Sequence, residues 1–235
     1  MAIIINQPFG AGDVIFCQSI AKEFVRKGHN VIWPVMPIYA PLAKHFPQIT
    51  MIDKTLINID YNRNDEYEYN GVNVIPLRFS DSICKVPYTQ CMQSKYLLMD
   101  MDWREWKRDC DIKRDIVNEF KLFKELGLDK LTGGYNLISE QFQTGGTRSF
   151  EIPKQDYDNG LPNIKMSFKE GFTLIDWLTV WENATNIFSV ASSNIYLFEL
   201  FSITCPIHLY VRRPNEQNHN NYSYLLTKDN YILHD

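Results

Sequence analysis

The first 35 residues constrain the fold most, because they spell one complete strand–helix–strand unit. Ala2 to Gln7 is an apolar run of strand length, and Gly10-Ala-Gly12-Asp13 reads as a tight loop. From Val14 to Arg26 the apolar residues fall at 14, 15, 16, 20, 21, 24 and 25, a spacing that predicts a helix with one buried face. Gly28 stops that helix, and Asn30 to Val35 forms a second strand. Two strands joined through a helix pair in parallel, and such units build α/β folds.

The alternation continues. Pro41 to Phe46 predicts a short helix and Ile49 to Asp53 a strand. Asn58 to Tyr69 is polar and acidic, with Asn62-Arg-Asn-Asp-Glu66 as a loop, followed by a strand over Gly71 to Leu77. Tyr96 to Glu125 predicts one or two helices, with Trp103, Trp106 and Cys110 spaced to share a buried face. For these tryptophans a core role is favoured over sugar stacking. Glycines at 127, 133 and 134 interrupt the pattern, which places a domain boundary near residue 130. Beyond it come strands over Tyr135 to Phe142 and Asn163 to Phe168, a Thr144-Gly-Gly-Thr147 loop, and a helix over Thr173 to Asn183. Then follow a strand over Asn186 to Ala191, a helix from Ile195 to Ile203, and a strand over Cys205 to Val211. The tail opens polar and ends rich in Tyr and Leu, as a segment that packs back on the domain.

With 235 residues there is enough chain for one large domain or two small ones. A net charge of -4 argues against non-specific nucleic-acid binding, which needs clustered cations. No apolar run reaches the roughly 18–20 residues of a membrane span, and Ala2 to Ile5 is too short for a signal-peptide core. The cysteines at 17, 84, 91, 110 and 205 are odd in number and form no CxxC pair, so reduced thiols in a cytoplasmic protein are expected, without a metal site. No local His spacing suggests zinc or a catalytic triad. Gly10-Ala-Gly-Asp13 has Ile15 where a dinucleotide fingerprint has its third glycine, which disfavours an oxidoreductase.

One C-terminal stretch carries the strongest functional signal. In Ser189-Val-Ala-Ser192-Ser193-Asn194, a buried strand ends in small hydroxyl residues that open a helix. Free backbone N–H groups and the helix dipole make such a place attractive to phosphate.

Two regions together suggest a family. The N-terminal strand with Gly10-Ala-Gly12-Asp13 and its helix resembles the acceptor domain of GT-B glycosyltransferases, of the heptosyltransferase type. Asp176-Trp-x-x-x-x-Glu182-Asn-Ala, followed by Ser192-Ser193 and Glu199, resembles the donor domain of viral and bacterial glycosyltransferase-like proteins. The resemblance covers roughly residues 1–50 and 164–213; Ala191-Ser-Ser-Asn194 departs from the longer Gly-rich or Asp-Ser-Gly turn common in heptosyltransferases. It implies two small Rossmann-like domains, residues 1–130 and 131–235, facing across a cleft.

The resemblance also implies site residues. Asp13 takes the role of general base on an acceptor hydroxyl, with Gly10 and Gly12 beside the acceptor; the plainer reading is a first-turn acid that stabilises the helix. Ser192, Ser193 and Asn194 receive the donor diphosphate or simply cap their helix. Glu199, an acid within an apolar helix, accepts the ribose hydroxyls or pairs with a Lys or Arg. Arg148, Arg212 and Arg213 offer charge to the diphosphate leaving group. Asp100-Met-Asp102 has metal-binding spacing but sits in a helix-like segment, so a metal-free, cofactor-free reaction is expected. The resulting expectation is an inverting, metal-independent glycosyltransferase with a nucleotide-sugar and a glycan or other hydroxyl acceptor as partners. A non-catalytic nucleotide- or sugar-binding protein and a sugar-nucleotide epimerase are the alternatives.

Overall fold

The structure is a computed structural model and describes residues 1–7, 10–77, 91–142, 148–211 and 222–234. The chain divides into two compact units, Met1–Lys113 and Arg114–Asp235. Each contains its own five-stranded sheet.

In the first unit β1 (Ala2–Asn6), α1 (Ala11–Phe16), α2 (Gln18–Arg26) and β2 (Asn30–Val35) form the expected parallel unit. The predicted single helix is two, because Cys17 leaves helical geometry at φ -88° and ψ 13°. Gly28 ends α2 at φ +83°, in the left-handed region open to glycine. A 3₁₀ segment, Pro37–His45, leads to β3 (Thr50–Asp53). Beyond the polar loop of Asn62 to Glu66, β4 (Tyr67–Tyr69) turns through Asn70-Gly71 into β5 (Val72–Pro76). Both turn residues have positive φ, as a two-residue hairpin demands. α3 (Cys91–Leu97) and a 3₁₀ turn, Trp103–Lys107, complete the unit. Its sheet has the order β3-β2-β1-β5-β4, parallel except for β4. Phe16 packs edge-on to Tyr96 and against Trp106, with ring centroids 5.2 and 5.3 Å away. Trp106 is buried as expected, whereas Trp103 and Cys110 are only half-buried.

The second unit begins with α4 (Ile116–Glu125) and β6 (Asn136–Ser139), followed by the small hairpin β7 (Gln141–Phe142) and β8 (Arg148–Ser149). Then come α5 (Lys154–Tyr157), β9 (Asn163–Lys165), α6 (Leu178–Glu182), β10 (Asn186–Val190), α7 (Asn194–Leu200), β11 (Ile207–Tyr210) and β12 (Tyr231–His234). The sheet order is β12-β11-β10-β6-β9, and every pairing is parallel. Numbered within the unit, this is the flavodoxin-like order 2-1-3-4-5. Its strands start on an asparagine network centred on the buried Asn136, whose Nδ2 donates to Asn159 Oδ1 (2.7 Å) and Asn163 Oδ1 (3.0 Å), while Asn186 Nδ2 donates to Asn136 Oδ1 (3.0 Å).

The unit boundary falls at 113/114, earlier than the glycines near 130 suggested, and side chains explain why. His45, fully buried in the first unit, donates through Nδ1 to the Lys113 carbonyl (2.8 Å), and its own carbonyl accepts from the Lys113 N–H (2.9 Å). Arg114 binds instead to Glu119 (Nε to Oε1, 2.9 Å) and Glu182 (Nη1 to Oε1, 2.7 Å). Glu119, also fully buried, accepts from the Thr179 N–H and hydroxyl at 3.1 and 2.7 Å and so fastens α4 to α6. Among the described residues no helix is long and apolar enough to cross a membrane.

Removing one partner of a buried ion pair leaves an uncompensated charge, so Glu119→Ala is expected to cost about 3 kcal/mol, the lower end for such pairs because Arg114 keeps Glu182. Glu125→Ala, on the exposed side of the same helix, is expected to change stability by less than about 0.5 kcal/mol. Urea unfolding monitored by tryptophan fluorescence compares the two.

Candidate functional site

In an open parallel sheet, ligands bind beyond the carboxyl ends of the strands, where the strand order reverses direction. Each sheet has one such point: between β1 and β5 in the first unit, and between β6 and β10 in the second.

In the first unit, β1 runs out at Asn6 and Gly10 sits just ahead of α1, with extended backbone and no side-chain cap. Gly12 and Asp13 belong to the first turn of α1, where a loop was expected. An acid there suits the helix dipole. Asp13 does more than that, since its Oδ1 lies 3.0 Å from Lys95 Nζ on α3. The Lys95 side chain is 4% exposed and that of Asp13 21%. Lys95 Nζ also donates to the Leu77 carbonyl (3.1 Å), just past β5, and the Leu77 N–H returns to the Asn6 carbonyl. The pair therefore spans the reversal point itself. The space beside Gly10 is filled by Asp13: a Cβ at position 10 would lie 2.8 Å from Oδ2. That glycine makes room for the carboxylate.

In the second unit, Ser192 and Ser193 follow β10 at its carboxyl end, half-buried. The expected cap is not made by Ser193, which precedes α7 in helical geometry without a side-chain cap bond. Ser192 Oγ accepts a long bond, 3.4 Å, from the Asn194 N–H. Asn194 turns inward: it is buried, and its Nδ2 donates to Ser139 Oγ (2.9 Å) and Ser189 Oγ (3.3 Å), tying β6 to β10. Glu199 is buried near the other end of α7, where it accepts from the Thr227 N–H (3.1 Å) and hydroxyl (2.6 Å). The sequence suggested a cation or a ribose for this acid; Thr227 is one partner the structure gives it. Lys228, next in sequence, donates to the Phe198 and Phe201 carbonyls and closes the helix C-terminus.

Other residues singled out from the sequence divide similarly. Asp176 Oδ2 accepts from the Thr173 N–H (2.6 Å) and hydroxyl (2.8 Å), and Glu182 holds Arg114, so the Asp176 to Glu182 stretch is structural. Asp102 Oδ1 caps the Trp103 turn through the Arg104 N–H at 3.0 Å, and Asp100 sits at φ +52°. Among the described residues, no three His, Cys, Asp or Glu side chains come together as a metal site. The backbone of Arg148 lies in β8; its side chain, and all of Arg212 and Arg213, fall outside the described residues. Lys95 was not anticipated. It lies far along the chain from Asp13, and nothing in its local sequence marks it as buried.

β11 and β12 carry a further titratable pair, with His208 Nδ1 2.9 Å from His234 Nε2. Burial and His234 hold the His208 imidazole below its ordinary value of 6.5, against an opposing pull from Asp156. The unfolded chain therefore takes up this proton more readily than the folded one. The contribution of neutral His208 to stability is present above pH 6.5 and is lost as the pH falls below it. His208→Phe is expected to flatten that decline, measured as the urea midpoint between pH 7.5 and 5.

For the first-unit pair, Asp13→Ala strands a buried ammonium and is expected to cost about 3 kcal/mol. Asp13→Ala combined with Lys95→Met is expected to recover most of that loss, because the buried charge is gone. Urea midpoints of the two single variants and the double variant decide it.

No protein-family model matches the chain, and no curated protein sequence is significantly similar to it. Solved structures are similar in fold. The bacterial iron-containing dodecameric glycosyltransferase TibC from enterotoxigenic E. coli H10407 aligns at 12% identity and TM-score 0.56, over 100% of this chain and 62% of its own. A second structure of TibC, a dodecameric iron-containing heptosyltransferase in complex with ADP-D-beta-D-heptose, aligns at 12% identity and TM-score 0.54 with the same coverage. This chain thus spans 62% of the length of those structures. With two α/β units, each on its own mainly parallel sheet, the chain has a GT-B-like glycosyltransferase fold.

Proposed function

We propose that this protein is a glycosyltransferase that moves a sugar from a nucleotide-sugar donor to an acceptor hydroxyl, with inversion and without a metal. The observation that carries the reading is the Asp13 carboxylate at the β1–β5 reversal point, in a fold shared with glycosyltransferases. Asp13 accepts the proton of the attacking hydroxyl as the new bond to the anomeric carbon forms. The bond to the diphosphate breaks with its electron pair, and a nucleoside diphosphate leaves. Ser192 and Ser193, whose hydroxyls are not consumed by strong capping bonds, receive that diphosphate. Arg148 and Arg212 supply the positive charge that a leaving diphosphate needs. Gly12 lies beside the acceptor, and Gly10 leaves room for the Asp13 carboxylate that serves it. Asn194 and Glu199 leave the proposed donor set, since both are engaged inside the second unit. The protein acts in the cytoplasm, on a glycan or another hydroxyl acceptor.

The donor bound by TibC makes ADP-sugars the first to try, followed by GDP- and UDP-sugars. At about 100 times its dissociation constant a donor adds about 2.7 kcal/mol of stability, read directly as a rise in Tm. We expect such a rise with magnesium present or chelated. Asp13→Asn, which keeps the shape of the side chain, is expected to lower kcat by about 100-fold or more while that rise in Tm persists. Undiminished nucleotide release by Asp13→Asn would sink the base assignment.

A second reading has one observation in its favour. Asp13 is already engaged by Lys95, as a purely structural acid would be. A nucleotide- or sugar-binding protein of the same fold predicts the shift in Tm with no turnover in any variant.

A further inference from the structure

Lys95 is unusual for a lysine. The residue normally carries its charge to water along a flexible stem, yet here the side chain is 4% exposed on the short helix α3. Burying an ammonium is costly, and an apolar side chain of similar volume would fill the space at less cost. The charge is retained where it touches Asp13 Oδ1 (3.0 Å) and the Leu77 carbonyl (3.1 Å).

Its anchor is part of the sheet edge. Leu77 directly follows β5, and its N–H donates to the Asn6 carbonyl at 3.3 Å. Lys95 thereby refers the position of Asp13 to the ends of the two strands that flank the reversal point. Gly10 bounds the carboxylate from the other side, since a Cβ there would stand 2.8 Å from Oδ2. One oxygen is held by the cation and the second rests over the glycine. A carboxylate fixed in one rotamer at the strand ends is what proton transfer in a defined geometry requires, whereas a lone first-turn acid would swing with solvent.

We propose that Lys95 is the positioning residue for Asp13, fixing Oδ1 so that Oδ2 is the oxygen presented to the acceptor hydroxyl. The proposal rests on Asp13 being the base. Lys95 keeps its proton throughout: the hydroxyl proton passes to Oδ2 as the acceptor oxygen bonds to the anomeric carbon, and the departing diphosphate carries away the electron pair of the broken bond. Lys95 touches no reacting atom in this scheme. Its effect appears in the rate of the step and not in donor binding.

The test uses the full chain and measures nucleoside diphosphate released from ADP-, GDP- and UDP-sugars, with water or an added glycan as acceptor. Wild type, Asp13→Asn, Lys95→Met and Lys95→Arg are compared. Lys95→Met is expected to fold, because the carboxylate it abandons is partly exposed to water. Its kcat should fall about 10- to 100-fold with KM for the donor unchanged, and Lys95→Arg should recover most of the loss. Wild-type kcat in Lys95→Met beside an inactive Asp13→Asn would overturn the positioning role and leave Asp13 as the base. Parallel loss of kcat and of donor binding in Lys95→Met, or failure of both Lys95 variants to fold, would make the pair structural and overturn the proposal too. Activity in Asp13→Asn, or a wild type inert toward every donor, would overturn the base assignment and the proposal with it.

Discussion

Both candidate sites depend on one property of parallel sheets: when crossovers leave a central strand in opposite directions, its carboxyl end stays uncovered. Both units have such a point, with β1 beside β5 in one sheet and β6 beside β10 in the other. The Asp13–Lys95 pair occupies the first, and Ser192 and Ser193 flank the second. The opposite ends of the second sheet are closed by structural bonds, with Asn136 at the strand starts and Thr227 and Lys228 against the far end of α7.

Two ion-paired acids show how alike residues come to stand in different surroundings. Glu119 is fully enclosed, and its oxygens are shared among Arg114 and two donors of Thr179. That carboxylate has little capacity left for a ligand. Asp13 is partly exposed, and among the described residues it meets its cation through one oxygen. Both are ion-paired; they differ in how many lone pairs remain and whether water or a substrate can reach them. Ion pairing alone therefore separates neither role from the other.

Local pattern made much of the fold legible. Apolar spacing between Val14 and Val25, the stop at Gly28 and the strand of Ile187 to Val190 are properties of short windows, and the structure follows them. The Asn70-Gly71 turn was equally local, a strong hairpin signal that the reading of Gly71 as the start of a strand passed over. What was not legible depends on partners remote in sequence. Glu199 stood out as a costly buried acid, but one of its partners, Thr227, lies on a distant segment. Lys95 reads as one more surface lysine until α3 is laid against the start of α1. The unit boundary was misplaced for the same reason: glycines punctuate the chain near 130, while the bonds of Lys113 and Arg114 divide it.

That division has a practical consequence for dissecting the protein. A fragment begun after residue 130, where the glycines invite a cut, would lose α4 and with it Glu119 and Arg114, baring the face of α6 that they cover and leaving Glu182 without its cation. A fragment begun at Arg114 carries the whole clamp with it, and one ended at Lys113 retains the chain end that His45 holds. The better place to sever the two halves is a peptide bond between two charged residues, in a stretch with no glycine or proline to advertise it.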